Sequence, residues 1–184
     1  MNKVSGKEKD FAYISEDGSR IIIGYGLKKV SGDICEWYEV YLYKKQNSQI
    51  TLQTVKDAIL ADINAQTDMK IVSGLVWESA DGEMIPVWLS TENQFNFKSA
   101  YDLAVQKNGA TLPVTFKMGE NEDGEPVYHT FSTMEESDDF YTKAVAFINQ
   151  TLAEGWQRKD SIDWTPYEEF FPQQEQQPEQ TAES

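Results

Sequence analysis

His129 is the one histidine in the chain, Cys35 the one cysteine, and 31 carboxylates stand against 16 basic side chains. A lone imidazole excludes the His- and Cys-rich zinc sets and any relay needing a second histidine. His129 alternates with Val127 and Phe131, which places it in the core or at the edge of a strand rather than in a catalytic role. Cys35 has no neighbouring activator and reads as a buried strand thiol. The acidic run Glu120–Glu125 lacks the ligand spacing of an EF-hand and reads as a solvated hairpin loop instead of a calcium site. Many carboxylates could form a hydrolase pair, but no two are singled out by context. The glycine-rich stretch from Gly24 to Gly32 lacks the Lys-Ser/Thr ending of a P-loop and the spacing of a dinucleotide fingerprint. No catalytic, cofactor-binding or metal-ligating residue is therefore assigned. Chemistry of another kind lies in the aromatics. Trp37, Tyr41 and Tyr43 share one face of a strand, and Trp77 and Trp88 flank a turn. Together they form a possible binding surface for carbohydrate or peptide, set against ordinary packing with the hydroxyls reaching water.

The elements that would position these residues follow from periodicity. Asp81-Gly82 predicts a two-residue hairpin loop, which pairs Leu75 with Trp88, Val76 with Val87 and Trp77 with Pro86. Both faces of this hairpin are then largely apolar. Its first strand is expected to begin at Lys70. Thr91 with Gln94 forms a capping box, followed by Phe97, Ala100, Tyr101 and Ala104 at helical spacing and Gly109 as a stop. Leu112–Met118 and Val127–Phe131 predict a further hairpin closed by Asp123-Gly124. A helix capped by Ser132 and Glu135 follows, with Phe140, Ala144, Phe147, Ile148, Thr151, Leu152 and Trp156 as its apolar stripe. Upstream, Glu16–Ser19 marks a hairpin, Ile34–Lys45 a long strand, Asn47–Gln49 a polar loop and Thr51–Gln66 an amphipathic helix. Shifting Asp81-Gly82-Glu83 by 42 residues lays it on Asp123-Gly124-Glu125, and Ser90-Thr91 on Ser132-Thr133, which suggests an internal repeat.

Composition bounds the function. The net charge is −15, carried by the later part of the chain: residues 1–50 hold 8 basic and 7 acidic groups, residues 51–184 hold 8 and 24. An acidic chain without a basic stripe argues against nucleic acid. One cysteine allows no internal disulfide. No apolar run approaches the ~18 residues needed to cross a bilayer, and the start, MNKVSGKEKDF, has no apolar segment behind its lysines. The default location is cytoplasmic, or virion-associated for a viral protein. The expected organisation is a flexible N-terminus over 1–10, a hairpin, strand and helix region over 11–69, a tandem hairpin–helix domain over 70–164 and a disordered Gln/Glu/Pro-rich tail over 165–184. Tyr167, Phe170 and Phe171 would anchor the start of that tail on the body or on a partner.

Val76-Trp77, Asp81-Gly82, the run Leu89 to Asn96, and Val127-Tyr128-His129 followed by Ser132 and a long helix carry a resemblance to a known family. The segment from about Ile71 to Trp164 resembles a domain of unknown function found in bacteriophage and prophage tail proteins, near tail-fibre and fibre-assembly genes. The resemblance implies an accessory or assembly role and offers no catalytic residues. The reading is an α+β protein of antiparallel β-hairpins each followed by a helix, repeated ββα units with helices packed on a sheet. It acts without catalysis through a protein partner or self-association. Carbohydrate or peptide binding and acidic-residue hydrolysis are the alternatives.

Overall fold

The computed structural model describes residues 2–43 and 50–171. Among these residues the chain runs β1 (Asn2–Lys7), β2 (Ile14–Asp17), β3 (Arg20–Ser31), β4 (Ile34–Tyr43), α1 (Leu52–Ser73), β5 (Leu75–Glu78), β6 (Met84–Val87), α2 (Thr91–Gln106), β7 (Val114–Glu120), β8 (Pro126–Phe131), α3 (Met134–Asp160) and α4 (Thr165–Phe170). Antiparallel sheets and helices in this order make an α+β protein. It divides into two units, Met1–Asp62 with Ser161–Ser184, and Ile63–Asp160.

The first unit holds a four-stranded antiparallel sheet of order β1-β4-β3-β2. Residues 2–7, expected as a flexible end, are corrected to strand β1, paired residue for residue with β4 from Asn2↔Glu39 to Lys7↔Ile34. Alternation along β4 gives it partners on both sides. Ile21, Ile23 and Tyr25 are buried on one side of the sheet, Cys35 and Trp37 on the other. On the first side the Tyr25 hydroxyl donates to Asp62 of α1 at 2.7 Å. On the second, Phe11 meets the Trp37 ring edge-on at 5.9 Å; the buried Tyr167 of α4 donates its hydroxyl to the Gly24 carbonyl of β3 at 2.7 Å. Burial pushes that phenol's pKa above its ordinary value. The glycine-rich stretch considered as a phosphate loop is strand instead. Gly26, at φ +66°, sits in a bulge where the β3–β4 register slips between Tyr25 and Lys28. The first turn also moves by one residue. Asp17 pairs with Arg20, so Gly18-Ser19 is the loop, with Gly18 at φ +56°.

The second unit is built on two hairpins, β5–β6 and β7–β8, each followed by a helix. The segment from Lys70 to Ser73 is not strand but the last turn of α1, which is followed by Gly74, where an added Cβ would meet the Lys70 carbonyl at 2.4 Å. The β5–β6 register is Leu75↔Val87, Val76↔Pro86, Trp77↔Ile85 and Glu78↔Met84. It lies one residue away from the expected pairing because the loop has three residues, not two. Gly82 donates to the Ser79 carbonyl and Ser79 to the Glu83 carbonyl, a type I turn closed by Gly82 at φ +79°. A one-residue slip exchanges a hairpin's pairings wholesale. One face, Leu75, Trp77, Ile85 and Val87, is dry, and the other is an outer face.

That dry face closes on Phe97 of α2, Met118 and Phe131 of the second hairpin, and Phe140 and Ala144 of α3. Helix α3 packs on β5 and β8, and α2 packs on α3. Trp88 donates from its backbone to the Met118 carbonyl at 2.7 Å, so β6 lies beside β7. Both helix caps differ from expectation. Ser90 rather than Thr91 caps α2, accepting from the Asn93 backbone, and Thr133 rather than Ser132 accepts from the Glu136 backbone at the start of α3. On α3 the stripe ends before Trp156, which is exposed. Gly155 takes the buried place, where a Cβ would approach Thr67 Oγ1 to 2.6 Å. The expected polar loop at 47–49, the end of the long strand at 44–45 and the tail from 172 lie outside the described residues.

Candidate functional site

The five candidate aromatics separate by unit and by burial. Trp37 is 4% exposed and Trp77 is 1% exposed, so both are core residues and the expectation of a binding role for them is corrected. In the first unit, Glu39 gathers its neighbours on the same side of β4. Its carboxylate accepts from Trp37 Nε1 at 3.0 Å and from the Tyr41 hydroxyl at 2.9 Å. That hydrogen bond, with burial behind it, raises the Tyr41 pKa. The Arg20 guanidinium lies 5.2 Å from the centre of the Tyr41 ring. Tyr43 alone of this group is widely exposed. In the second unit Trp77 and Trp88 do not form a pair, because strand alternation sends Trp77 inward and leaves Trp88 on the outer face.

The outer face of the two hairpins surrounds Trp88. Val76 and Met84 are exposed on β5 and β6, the latter at 61%. Pro86 lies opposite Val76, and Trp88 follows on the same side. Lys117 of β7 spans the step to the second hairpin, its ammonium 5.0 Å from the Trp88 ring centre. Across the ladder from Lys117 stands Tyr128, 63% exposed. Thr115 and Thr130 extend the row and share a hydrogen bond at 2.8 Å. Valine, methionine, proline, tryptophan and tyrosine thus stand in one row that carries little charge. Lys117 is neutralised by Glu120 at 3.0 Å.

A second arrangement lies where β5 meets the start of α3. A cleft of about 400 Å³ is bordered by Glu78, Thr133, Glu135, Glu136, Asp139 and Lys143, with Trp77 at its base. His129 Nε2 and Glu136 Oε1 are 2.8 Å apart, and the His129 ring meets Trp77 edge-on at 5.0 Å. Trp77 Nε1 donates to Asp139 at 2.9 Å, and Lys143 donates to the same oxygen at 2.8 Å. The Lys143 hydrogen bond, then that from Trp77, hold the Asp139 carboxyl below the usual carboxylate range. That is the reverse of the tuning a general acid needs near neutral pH. Glu136 is also occupied, accepting from the Ser132 backbone at 3.1 Å. Thr133 Oγ accepts from Glu136 N, Ser137 Oγ donates to the Thr133 carbonyl, and Ser79 Oγ accepts from Glu83 N. These groups fasten a hairpin to a helix start. Among the described residues, no group of three or more His, Cys, Asp or Glu side chains is placed to hold a metal ion, and no helix is long and apolar enough to cross a membrane.

The links Trp77–Asp139 and His129–Glu136 were not legible in the sequence. Each joins residues on different elements, and only the capping position of Glu136, three residues after Thr133, hinted that its carboxylate turns back toward the preceding strand. The family model for a domain of unknown function, DUF4376, matches residues 54–176. No curated protein and no solved structure matches the chain.

Proposed function

The chain belongs to the DUF4376 family, and we propose that it is a non-enzymatic structural or assembly protein that works through protein–protein contacts made by the outer face of its two hairpins. The observation that carries this reading is the row Val76, Met84, Pro86, Trp88 and Tyr128. Contiguous exposed apolar surface marks interaction sites in folded proteins, and aromatic residues and methionine are enriched at such interfaces. Two of the four carboxylates of the acidic cleft, Asp139 and Glu136, are by contrast spent on Trp77, Lys143, His129 and a backbone amide. A phage or prophage tail context fits the resemblance of Ile71–Trp164 to tail-associated domains, and we read the two hairpin–helix runs as one repeated unit.

The test is the oligomeric state of the full chain and of Met84→Asp/Tyr128→Asp by multi-angle light scattering. Association of the wild type that the double variant loses, with its thermal unfolding unchanged, supports the reading. A wild type that stays monomeric alone and with candidate tail proteins removes it. Carbohydrate binding rests on the half-buried Trp88 and the exposed Tyr128 of the same face. A glycan array with no hits dismisses that alternative.

A further inference from the structure

Residues 1–50 hold 8 basic and 7 acidic groups where the rest of the chain is strongly acidic. Beyond the Gly26 bulge, β3 and β4 continue as a two-stranded arm, from Lys28↔Glu36 to the turn at Gly32-Asp33. The arm exposes Leu27, Val30 and Ile34. Lys7, Lys9 and Lys29, with the acidic Glu8 and Asp33, border a cleft of about 450 Å³ at its base, and Lys28 stands on the opposite side of β3 from Lys29. Five lysines elsewhere, Lys56, Lys70, Lys98, Lys117 and Lys143, each meet a carboxylate. Among the described residues Lys7, Lys9, Lys28 and Lys29 meet none, although the chain has 31 carboxylates. Lys28 lies directly across from Glu36, yet the Glu36 carboxylate goes to Lys3 at 2.7 Å.

Unmatched lysines on a strand repel a second identical arm. β2 pairs with β3 only from Arg20 to Ile23, so beyond Gly24 the β3 edge away from β4 has no strand partner among the described residues. Its occupant must be acidic and exposed. One segment of this chain meets that description in a fixed shape, the β7–β8 loop Glu120-Asn121-Glu122-Asp123-Gly124-Glu125. Asn121 Oδ1 accepts from the backbones of Asp123 and Glu125 at 3.1 and 2.8 Å, which holds the turn while Glu122, Asp123 and Glu125 stay exposed. A pre-shaped acidic turn loses little freedom on binding.

We propose that the lysine-lined β3–β4 arm of one copy binds the acidic β7–β8 loop of a second copy. The proposal rests on the reading of the protein as one that acts through protein contacts, and names the partner as the chain itself. Because the two surfaces differ, the contact is head-to-tail and does not stop at two chains, so it yields rings or open strings.

Charge reversal tests it on the full chain by sedimentation velocity over a range of concentrations. The wild type forms species larger than a dimer, and their dissociation constant rises at least roughly tenfold between about 0.02 M and about 0.5 M salt, as the Debye length shrinks. An arm variant (Lys7→Glu, Lys9→Glu, Lys29→Glu) and a loop variant (Glu122→Lys, Asp123→Lys, Glu125→Lys) each have a lower mass alone than the wild type, with unchanged thermal unfolding. Mixed one to one, they regain mass, because each reversed surface now finds its complement. A mixture that stays at the mass of the separate variants, or reversals that leave the mass unchanged, overturns the proposal. Mass lost only on Met84→Asp/Tyr128→Asp overturns the arm–loop contact while sparing the outer-face reading.

Discussion

Ser79–Glu83 and Asn121–Glu125 turn the chain in the same way. In each, the residue three after the first donates back to the first carbonyl, the first residue pairs with the fifth, and a glycine at φ +79° closes the turn. Each also uses a side chain at the first position as a brace, Ser79 Oγ for Glu83 N and Asn121 Oδ1 for Glu125 N. Away from the turn the two runs diverge. The β7–β8 ladder slips at Met118, and the caps fall one residue out of step, Ser90 against Thr133. The bulge puts Gly119 against the β6 backbone, where an added Cβ would lie 2.6 Å from the Pro86 carbonyl. The first run keeps a regular ladder and sends Trp77 into the core. The second gives up regularity so that the hairpins can lie side by side. A local turn can thus be repeated faithfully while its surroundings are fitted to a shared core.

The largest expected effect comes from separating the two tryptophans of the first run. Trp77 packs on His129, Phe131 and Phe140, and Trp77→Ala should cost about 3–5 kcal/mol of unfolding free energy in urea titration. Trp88→Ala loses a half-exposed ring and a cation–π contact and should cost about 1 kcal/mol. Equal losses would contradict the assignment of inner and outer faces. Gly119→Ala should cost about 1–3 kcal/mol by forcing β6 and β7 apart, and a neutral result would mean that the hairpins do not touch there. Gly82→Ala and Gly124→Ala each place a side chain at positive φ with no atom within 4 Å. Both should cost roughly 1–2 kcal/mol, and by the same amount if the turns are equivalent.

The smallest effect is on pH dependence. Asp139 joins the runs through Trp77, and its carboxyl is held below its ordinary value by Lys143 and Trp77. A lowered carboxylate pKa contributes stability that is present above the unfolded value and lost as pH falls through the folded one. In acid denaturation Asp139→Asn should lower stability at neutral pH and flatten the part of the profile below about pH 4, where the wild type loses the same contribution. An unaltered acid limb would show that the Trp77–Asp139 link adds nothing.

The α+β class, both Asp-Gly turns and the helices after them were readable from the sequence, because periods of two and of about three and a half residues and the turn glycines are local signals. Register was not. Asp81-Gly82 fits a two-residue loop as well as the last two residues of a three-residue loop, and only the partner strand decides, so Trp77 and Val87 were paired wrongly. The extension of α1 through Lys70–Ser73 was hidden because Ile71, Val72 and the following Leu75–Trp77 are β-prone, and packing of Ile71 into the core overrode propensity. The burial of Trp37 was equally hidden, since alternation placed it with Tyr41 and Tyr43 without showing that Phe11 would cover it. The outer face follows from the corrected register, which is why Met84 and Tyr128 were absent from the aromatic candidates.

The central claim is that the outer hairpin face is a contact surface, and the mass of the protein in solution tests it most directly. Light scattering on the wild type and on Met84→Asp/Tyr128→Asp at matched concentration should show an assembly of several 21.0 kDa chains whose mass the double variant lowers, with no change in thermal unfolding. An assembly of undiminished mass in the double variant would contradict it.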